Sequence, residues 1–242
     1  MTVAKAPAGR IIWLDMARCL AVIGMVIYHF TYDLSLFGFA SPQNAVTGFW
    51  ALFARLVAGS FVFLAGFGLF LSHHQGIRWP AFWRRFGVLV AAAALITVAT
   101  FLAMRDSFIF FGILHSIALA SLLGLAFLRW PVWVLGVVAV VVIALPRMAR
   151  FEVLDGPLFY WTGLGTIAPY TMDYEPVFPW FGIFLLGMAL AKLMLARGPL
   201  TRGVAPVWLA RLTWPGRHSL VIYLVHQPVL IGLFSIYLWL LR

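Results

Sequence analysis

The sequence predicts an all-α fold, a polytopic bundle of about seven helices that cross a membrane. Its composition is the first reason, since 64% of the 242 residues are hydrophobic and only 10% are charged, with a mean hydropathy of +1.02. The second reason is a series of apolar runs. Each is close to the roughly 20 residues that a hydrocarbon core of about 30 Å requires. We expect a single domain over residues 1–242.

The predicted spans are bounded by Gly, Pro or clusters of charge, which end helices. Their approximate ranges are 11–36, 48–72, 82–104, 107–128, 130–146, 178–196 and 219–241. Only the three residues RWP separate the fourth span from the fifth, and proline closes the fifth at both ends. The fifth span is therefore predicted to be short.

The distribution of Lys and Arg predicts a cytoplasmic N-terminus, because cytoplasmic loops keep positive charge. The beginning of the chain is interpreted as an uncleaved signal anchor. In this orientation the cytoplasmic side receives Lys5, Arg10, Arg78, Arg84, Arg85, Arg129, Lys192, Arg197, Arg202, Arg211 and Arg217. The far side receives Arg105, Arg147, Arg150 and Arg242, with five acids. The net charge of +10 thus faces anionic lipid headgroups and requires no nucleic-acid partner.

Four polar residues interrupt the first span and lie on one stripe of a helix: Asp15, Arg18, His29 and Asp33. From Asp15 to Asp33 this stripe is about 27 Å long, nearly the thickness of the membrane core. Asp15 and Arg18, at i and i+3, suit a salt bridge, with an anion or cosubstrate contact by Arg18 as the alternative. His29 and Asp33, at i and i+4, allow the carboxylate to orient an imidazole as a general base.

Three further polar residues lie inside predicted spans. The second span enters the membrane from the far side, so its Arg55 is predicted to lie at the depth of Asp33. The two residues could then form an ion pair, which would make Asp33 less available to His29. His115 and His226 either form structural hydrogen bonds between helices or contribute to the same polar site. No metal site is predicted, and the single cysteine, Cys19, cannot form an internal disulfide.

The long connection from Arg147 to Val177 is rich in aromatic side chains and also carries Asp173 and Glu175. Aromatic rings beside acids suit sugar binding. Trp and Tyr also form belts at membrane surfaces. The sequence favours the interfacial belt, with sugar binding as the alternative.

Five segments, in this order, resemble the heparan-alpha-glucosaminide N-acetyltransferase catalytic-domain family in its short bacterial form. The resemblance runs from about Arg10 to Leu233. The segments are RIIWLDMARCLAVIGMVIYHFTYDL, RLVAGSFVFLAGFGLFL, FGILHSIAL, VFPWFGIFLLGMALAK and GRHSLVIYLVHQPVL.

The resemblance implies a membrane acyltransferase, an N- or O-acetyltransferase, in a bacterial inner membrane. Its cosubstrate would be acyl-CoA, here acetyl-CoA, on the cytoplasmic side, and its acceptor a sugar or similar molecule on the far side. The family's first-span histidine corresponds to His29, and the histidine of the closing motif corresponds to His226. The lysosomal members are longer, with more membrane spans and a luminal domain, so the resemblance does not identify the acceptor.

The polar residues and the resemblance together assign residues to the catalytic step, to the acceptor site and to the donor site. His29 would be the base, oriented by Asp33, or would carry the acyl group covalently. Arg55, His115 and His226 are predicted to support the polar acceptor site. The donor's phosphates are predicted to bind Arg18 and Arg217, with the basic loop 78–85. The lipid bilayer is the surrounding partner, and a homodimer is left open.

Two other functional classes remain as alternatives. A haem-binding electron carrier could use His29 and His115 as axial ligands. A small-molecule transporter could use the intramembrane charges, although no pair of matching broken helices is found. A retinal photoreceptor is disfavoured because the last span contains no Lys.

Overall fold

The computed structural model describes residues 11–200 and 207–241. The helices are α1 (Ile12–Leu36), α2 (Gly48–His73), α3 (Trp79–Ala103), α4 (Ile113–Phe127), α5 (Val132–Met148), α6 (Val177–Arg197), α7 (Val207–Leu212), α8 (Trp214–Arg217) and α9 (Ser219–Leu240). Within those residues the only β-structure is one isolated bridge, between Phe111 and Tyr174. The start of the predicted signal anchor, residues 1–10, and four of the bases assigned to a membrane side (Lys5, Arg10, Arg202 and Arg242) lie outside the described residues.

Five of the helices, α1, α2, α3, α6 and α9, are long and apolar enough to cross a membrane, and α4 and α5 are shorter apolar helices. This confirms the predicted polytopic bundle of about seven helices. The fourth helix was predicted from residue 107, but it begins at Ile113. Residues 107–111 instead pair with the chain ahead of α6, where Met172 N–H donates to Ser107 O and Glu175 N–H to Phe111 O. These backbone bonds replace the helical ones.

The chain divides into two compact units. The terminal unit runs as far as Ser60 and resumes at Gly198, so it contains α1, the first half of α2 and α7 to α9. The central unit, Phe61–Arg197, contains the rest of α2 and α3 to α6. The expectation of a single domain stays a prediction.

In the terminal unit α1 packs against α8 and α9. Its middle also approaches α2, where a side-chain carbon at Gly24 would lie 2.9 Å from Val57. Near the beginning of α1, Gly216 of α8 touches the backbone so closely that a side-chain carbon there would overlap Asp15 O. Glycine therefore lets α8 lie directly on α1.

In the central unit α6 lies in the core and packs against α5 and α4. Its side chains Phe184, Leu185, Met188 and Ala191 are fully buried. The continuation of α2 meets α6 backbone to backbone at two glycines: a side-chain carbon at Gly66 would overlap Phe184 O, and one at Gly187 would overlap Phe63 O. Small residues permit this close approach of helices in a membrane.

The connection between α5 and α6 is folded on itself. Asp155 accepts hydrogen bonds from the backbone N–H groups of Thr166 and Ile167 and from the Thr166 hydroxyl. The hydroxyl of Tyr174 donates to Tyr160 O at 2.6 Å. Tyr170 is exposed, whereas Tyr160 and Tyr174 are half-buried. These contacts show that the connection is ordered, and both of its predicted roles stay open.

The replacement Gly187→Ala tests the contact between α2 and α6. The added methyl group has no space beside Phe63 O, so we expect the variant to lose about 1–3 kcal/mol of stability. The midpoint of thermal unfolding in detergent measures this loss. The control is Gly136→Ala in α5, where a side-chain carbon meets no atom within 4 Å and alanine favours the helix by about 1 kcal/mol. Equal midpoints for the two variants would contradict the packing described here.

Candidate functional site: a polar cluster between two helices

A polar cluster forms where α1 packs against α9 in the terminal unit. It contains His29 and Asp33 of α1 and His226 and Gln227 of α9; we call it the α1–α9 cluster. Asp33 is fully buried and His226 is 9% exposed. The ring centroids of His29 and His226 are 4.7 Å apart, with the rings tilted by 59°. The helix packing thus joins two histidines that are far apart in the sequence.

Asp33 is held by Gln227 rather than by His29. Gln227 Nε2 donates to Asp33 Oδ1 at 3.0 Å, and among the described residues His29 Nδ1 is buried without a hydrogen-bond partner. The i, i+4 spacing places Asp33 near His29, but the carboxylate turns to the N–H donor that the neighbouring helix offers. The hydrogen bond from His29 to Asp33 that was predicted to orient the imidazole is therefore not formed; Asp33 is bonded to Gln227 instead.

His226 is fixed by its own helix. The distance from His226 Nδ1 to Tyr223 O is 2.7 Å. A carbonyl oxygen only accepts, so Nδ1 must carry a proton and donate it to this bond. In the neutral ring Nε2 then has a lone pair, and this nitrogen is buried with no hydrogen bond to any described residue.

Each of the four members of the cluster has one buried polar atom that forms no hydrogen bond within the described part of the chain. These atoms are His29 Nδ1, Asp33 Oδ2, His226 Nε2 and Gln227 Oε1. Buried polar groups in native proteins are nearly always paired, so each exception needs an explanation. Four such buried polar atoms in one place could all be paired by a ligand that forms hydrogen bonds, so the cluster is a candidate binding site.

Arg55 does not join this cluster. The predicted ion pair with Asp33 is absent, since Arg55 is exposed on α2 and Asp33 is fully buried and bonded to Gln227. An ion pair with Asp33 would require the Arg55 guanidinium to be buried, and the loss of its solvation would cost free energy. The carboxylate pairs with a neutral amide instead.

The predicted salt bridge near the beginning of α1 is present. Arg18 Nη1 lies 3.5 Å from Asp15 Oδ1, and the Arg18 side chain is 28% exposed. Arg217 follows Gly216, the glycine that packs on the α1 backbone, so it lies at the same end of α1 as Arg18. The Cys19 thiol nearby donates to Leu212 O at 3.2 Å. The two arginines proposed for donor phosphates are therefore at one end of α1, and the cluster is toward the other.

His115 belongs to the central unit, where both of its ring nitrogens have partners. Gly112 N–H donates to His115 Nδ1 at 3.2 Å. The Thr97 hydroxyl donates to Ile109 O at 2.7 Å, so its oxygen must accept from His115 Nε2–H, 3.2 Å away. These bonds close the turn at the beginning of α4 and favour the structural interpretation of His115.

Asp173 also caps the beginning of α4. Its Oδ2 accepts a hydrogen bond from Ile113 N–H at 3.2 Å. Burial raises the pKa of Asp173 from 3.8 to about 6, and the hydrogen bond from Ile113 only partly offsets this rise. Asp173 is one of the two acids on which a sugar-binding role for this connection was considered, and its hydrogen bond to Ile113 N–H is that of a helix cap.

Sequence reasoning missed Gln227 and Tyr223, which position Asp33 and His226. A weak signal for Gln227 was available, because it stands beside His226 in an otherwise apolar span. The contact of Tyr223 is made by its backbone carbonyl, so its side chain gave no signal. Within the described part of the chain, no three His, Cys, Asp or Glu residues are grouped so that they could hold a metal ion.

Replacing Gln227 by Leu tests the support of Asp33. The Asp33 carboxyl would lose its hydrogen bond and stay buried, which costs about 1–3 kcal/mol. We expect a lower midpoint of thermal unfolding in detergent. Gln75→Leu, an exposed position in a turn, is the control and should change this midpoint little. A Gln227→Leu midpoint equal to that of the control would rule out a supporting role.

Asp173 gives a pH dependence that can be tested. Because its pKa is raised to about 6 in the folded protein, folding favours the protonated form. The resulting stabilisation, about 3 kcal/mol at most, is fully present below about pH 4. It is lost as the pH rises through about 6. Thermal unfolding of the wild type should therefore show a fall in midpoint over this window.

The variant Asp173→Asn should remove that fall, because an amide does not titrate. The control Asp106→Asn, at an exposed position between α3 and α4, should keep it. If the Asp173→Asn midpoint falls as steeply as that of the wild type between pH 4 and 7, another group is responsible.

Comparison with known proteins gives the family. None of the curated proteins and none of the solved structures compared with this chain match it. The family model described as "Heparan-alpha-glucosaminide N-acetyltransferase, catalytic" matches residues 10–228, which include both helices of the α1–α9 cluster as far as Pro228. The chain therefore belongs to the heparan-alpha-glucosaminide N-acetyltransferase catalytic-domain family, as its sequence segments predicted.

Proposed function

We propose that this protein transfers an acetyl group from acetyl-CoA to a sugar or a similar acceptor on the far side of the membrane. The family supports membrane acetyltransferase chemistry, and the long apolar helices support an integral membrane protein. The observation that carries the proposal is the α1–α9 cluster, whose four buried atoms make no hydrogen bond to the described residues. We propose the bacterial inner membrane, with the N-terminus and the donor on the cytoplasmic side.

The cluster has the groups that the transfer requires. An amine or hydroxyl of the acceptor attacks the thioester carbonyl, and a base must take its proton as the new bond forms. Imidazole is the side chain best suited to this step near neutral pH. In this proposal His29 is either that base or the residue that carries the acetyl group between the two substrates.

The remaining atoms of the cluster suit the acceptor. Asp33 Oδ2 and Gln227 Oε1 are hydrogen-bond acceptors, so they complement a molecule that presents N–H or O–H groups. A sugar does so at several positions. Binding such a molecule satisfies the buried oxygens and positions one of its amines or hydroxyls beside the histidines.

The other end of α1 suits the donor. Arg18 and Arg217 provide positive charge for the phosphates of CoA, with Arg18 exchanging its contact with Asp15 for a phosphate. Along the helix axis Arg18 and His29 are about 16 Å apart. The extended pantetheine arm of CoA spans such a distance, so phosphates held at one end allow the thioester to reach the cluster.

The variant His29→Ala tests this function. Purified wild-type protein should release CoA thiol from acetyl-CoA when D-glucosamine or methyl α-D-glucoside is added, and mass spectrometry should detect the acetylated sugar. The two sugars separate acetylation of an amine from acetylation of a hydroxyl. We expect His29→Ala to lower the turnover rate by about 10²- to 10⁴-fold.

The control for this experiment is His74→Ala, because His74 is an exposed histidine in the turn just after α2 and should keep the wild-type rate. Full turnover by His29→Ala would remove His29 from the reaction. Absence of any acetylated sugar with the wild type would refute the proposed transfer to these acceptors.

A further inference from the structure

We propose that His226 is the catalytic base, that it takes the acceptor's proton on Nε2, and that the carbonyl of Tyr223 fixes the tautomer this requires. The inference rests on the proposed function; it gives the base's role to His226 and leaves His29 as the residue that carries the acetyl group. It comes from the hydrogen bonds of the two histidines in the α1–α9 cluster, which differ sharply.

The tautomer of His226 is determined by its surroundings. Its Nδ1 lies 2.7 Å from Tyr223 O, so the proton resides on Nδ1 and the lone pair on Nε2. A base needs such a lone pair, directed at the substrate while the opposite nitrogen is held. The ring is also 9% exposed, which limits competition from water for Nε2.

His29 lacks this support. Its Nδ1 makes no hydrogen bond within the described part of the chain, and the carboxylate expected to orient it is bonded to Gln227. Its ring packs against two aromatic neighbours, Tyr28 and His226. These contacts hold the plane of the ring but do not select which nitrogen carries the proton.

The step is balanced with His226 as the base. The acceptor's nitrogen or oxygen forms a bond to the acetyl carbonyl carbon, and its proton moves to His226 Nε2. That carbon is bonded to a His29 nitrogen, which displaced the sulfur of acetyl-CoA in the preceding step; the sulfur left with the electron pair of the broken bond and took the other ring proton of His29, which gave CoA thiol. The bond from carbon to the His29 nitrogen now breaks, its electron pair returns to that nitrogen, and the nitrogen takes the proton from His226 Nε2, which gives the acetylated acceptor and two neutral histidines. His226 Nδ1 keeps its proton throughout and donates it to Tyr223 O.

The presence of His29 beside His226 limits how many protons the two imidazole rings can hold. With ring centroids 4.7 Å apart, two imidazolium ions would repel each other in a medium of low dielectric constant. The pair therefore accepts one proton at a time. While His226 holds the acceptor's proton, His29 stays neutral and is the ring available to the acetyl group.

The variant His226→Asn tests the inference. Its side-chain N–H can still donate to Tyr223 O, but it provides no base in place of Nε2. With acetyl-CoA and D-glucosamine we expect kcat to fall by about 10²- to 10⁴-fold and the KM for acetyl-CoA to stay within about threefold of the wild type. Imidazole added to His226→Ala should restore part of the rate, which a purely structural role would not allow.

The matched control is His74→Asn. His74 makes the same kind of contact, from Nδ1 to the carbonyl of Leu71 three residues earlier at 3.1 Å, but it is exposed and belongs to the central unit. It should keep the wild-type kcat and KM. Melting curves in detergent confirm that each variant is folded.

The inference is overturned if His226→Asn keeps a kcat within about twofold of the wild type. It is also overturned if imidazole gives folded His226→Ala no gain in rate. Failure of the proposed function looks different, because then the wild type itself acetylates neither D-glucosamine nor methyl α-D-glucoside.

Discussion

The structure depends on one constraint, that polar side chains buried in an apolar helix bundle need partners inside the protein. His115 meets it fully, with Gly112 on one nitrogen and Thr97 on the other. The α1–α9 cluster meets it only in part. Its members are held by one hydrogen bond from Gln227 to Asp33 and one from His226 to Tyr223 O, while one atom of each stays unpaired among the described residues. This difference separates a structural histidine from a proposed catalytic pair.

Helix α1 connects the two functions that the proposal requires. Near the beginning of α1, Arg18 is paired with Asp15 and partly exposed. A partly exposed pair of this kind suits reversible contact with phosphates. Toward its other end His29 and Asp33 lie in the cluster. Close backbone contact at Gly216 keeps α8 on the first part of α1, while α9 supplies His226 and Gln227. A single helix thus carries both ends of the proposed transfer.

Hydropathy and helical periodicity were sufficient to predict the bundle, the shared stripe of Asp15, Arg18, His29 and Asp33, and the salt bridge at its beginning, because all are local properties of the chain. The late start of α4 was not predictable in this way, since residues 107–111 are apolar but pair with a segment some 60 residues later. Nor was the partner of Asp33. Local spacing favoured His29, and only the packing of α9 brings Gln227 to it.

Reconstitution in lipid vesicles tests the central claim most directly. Acetyl-CoA labelled in its acetyl group is supplied outside, and D-glucosamine is sealed inside. The account predicts labelled acetylglucosamine within the vesicles for the wild type, with a strong loss for His226→Asn. Label that reaches the sugar only when both substrates are on the same side, or never reaches it, would contradict acetyl transfer across the membrane.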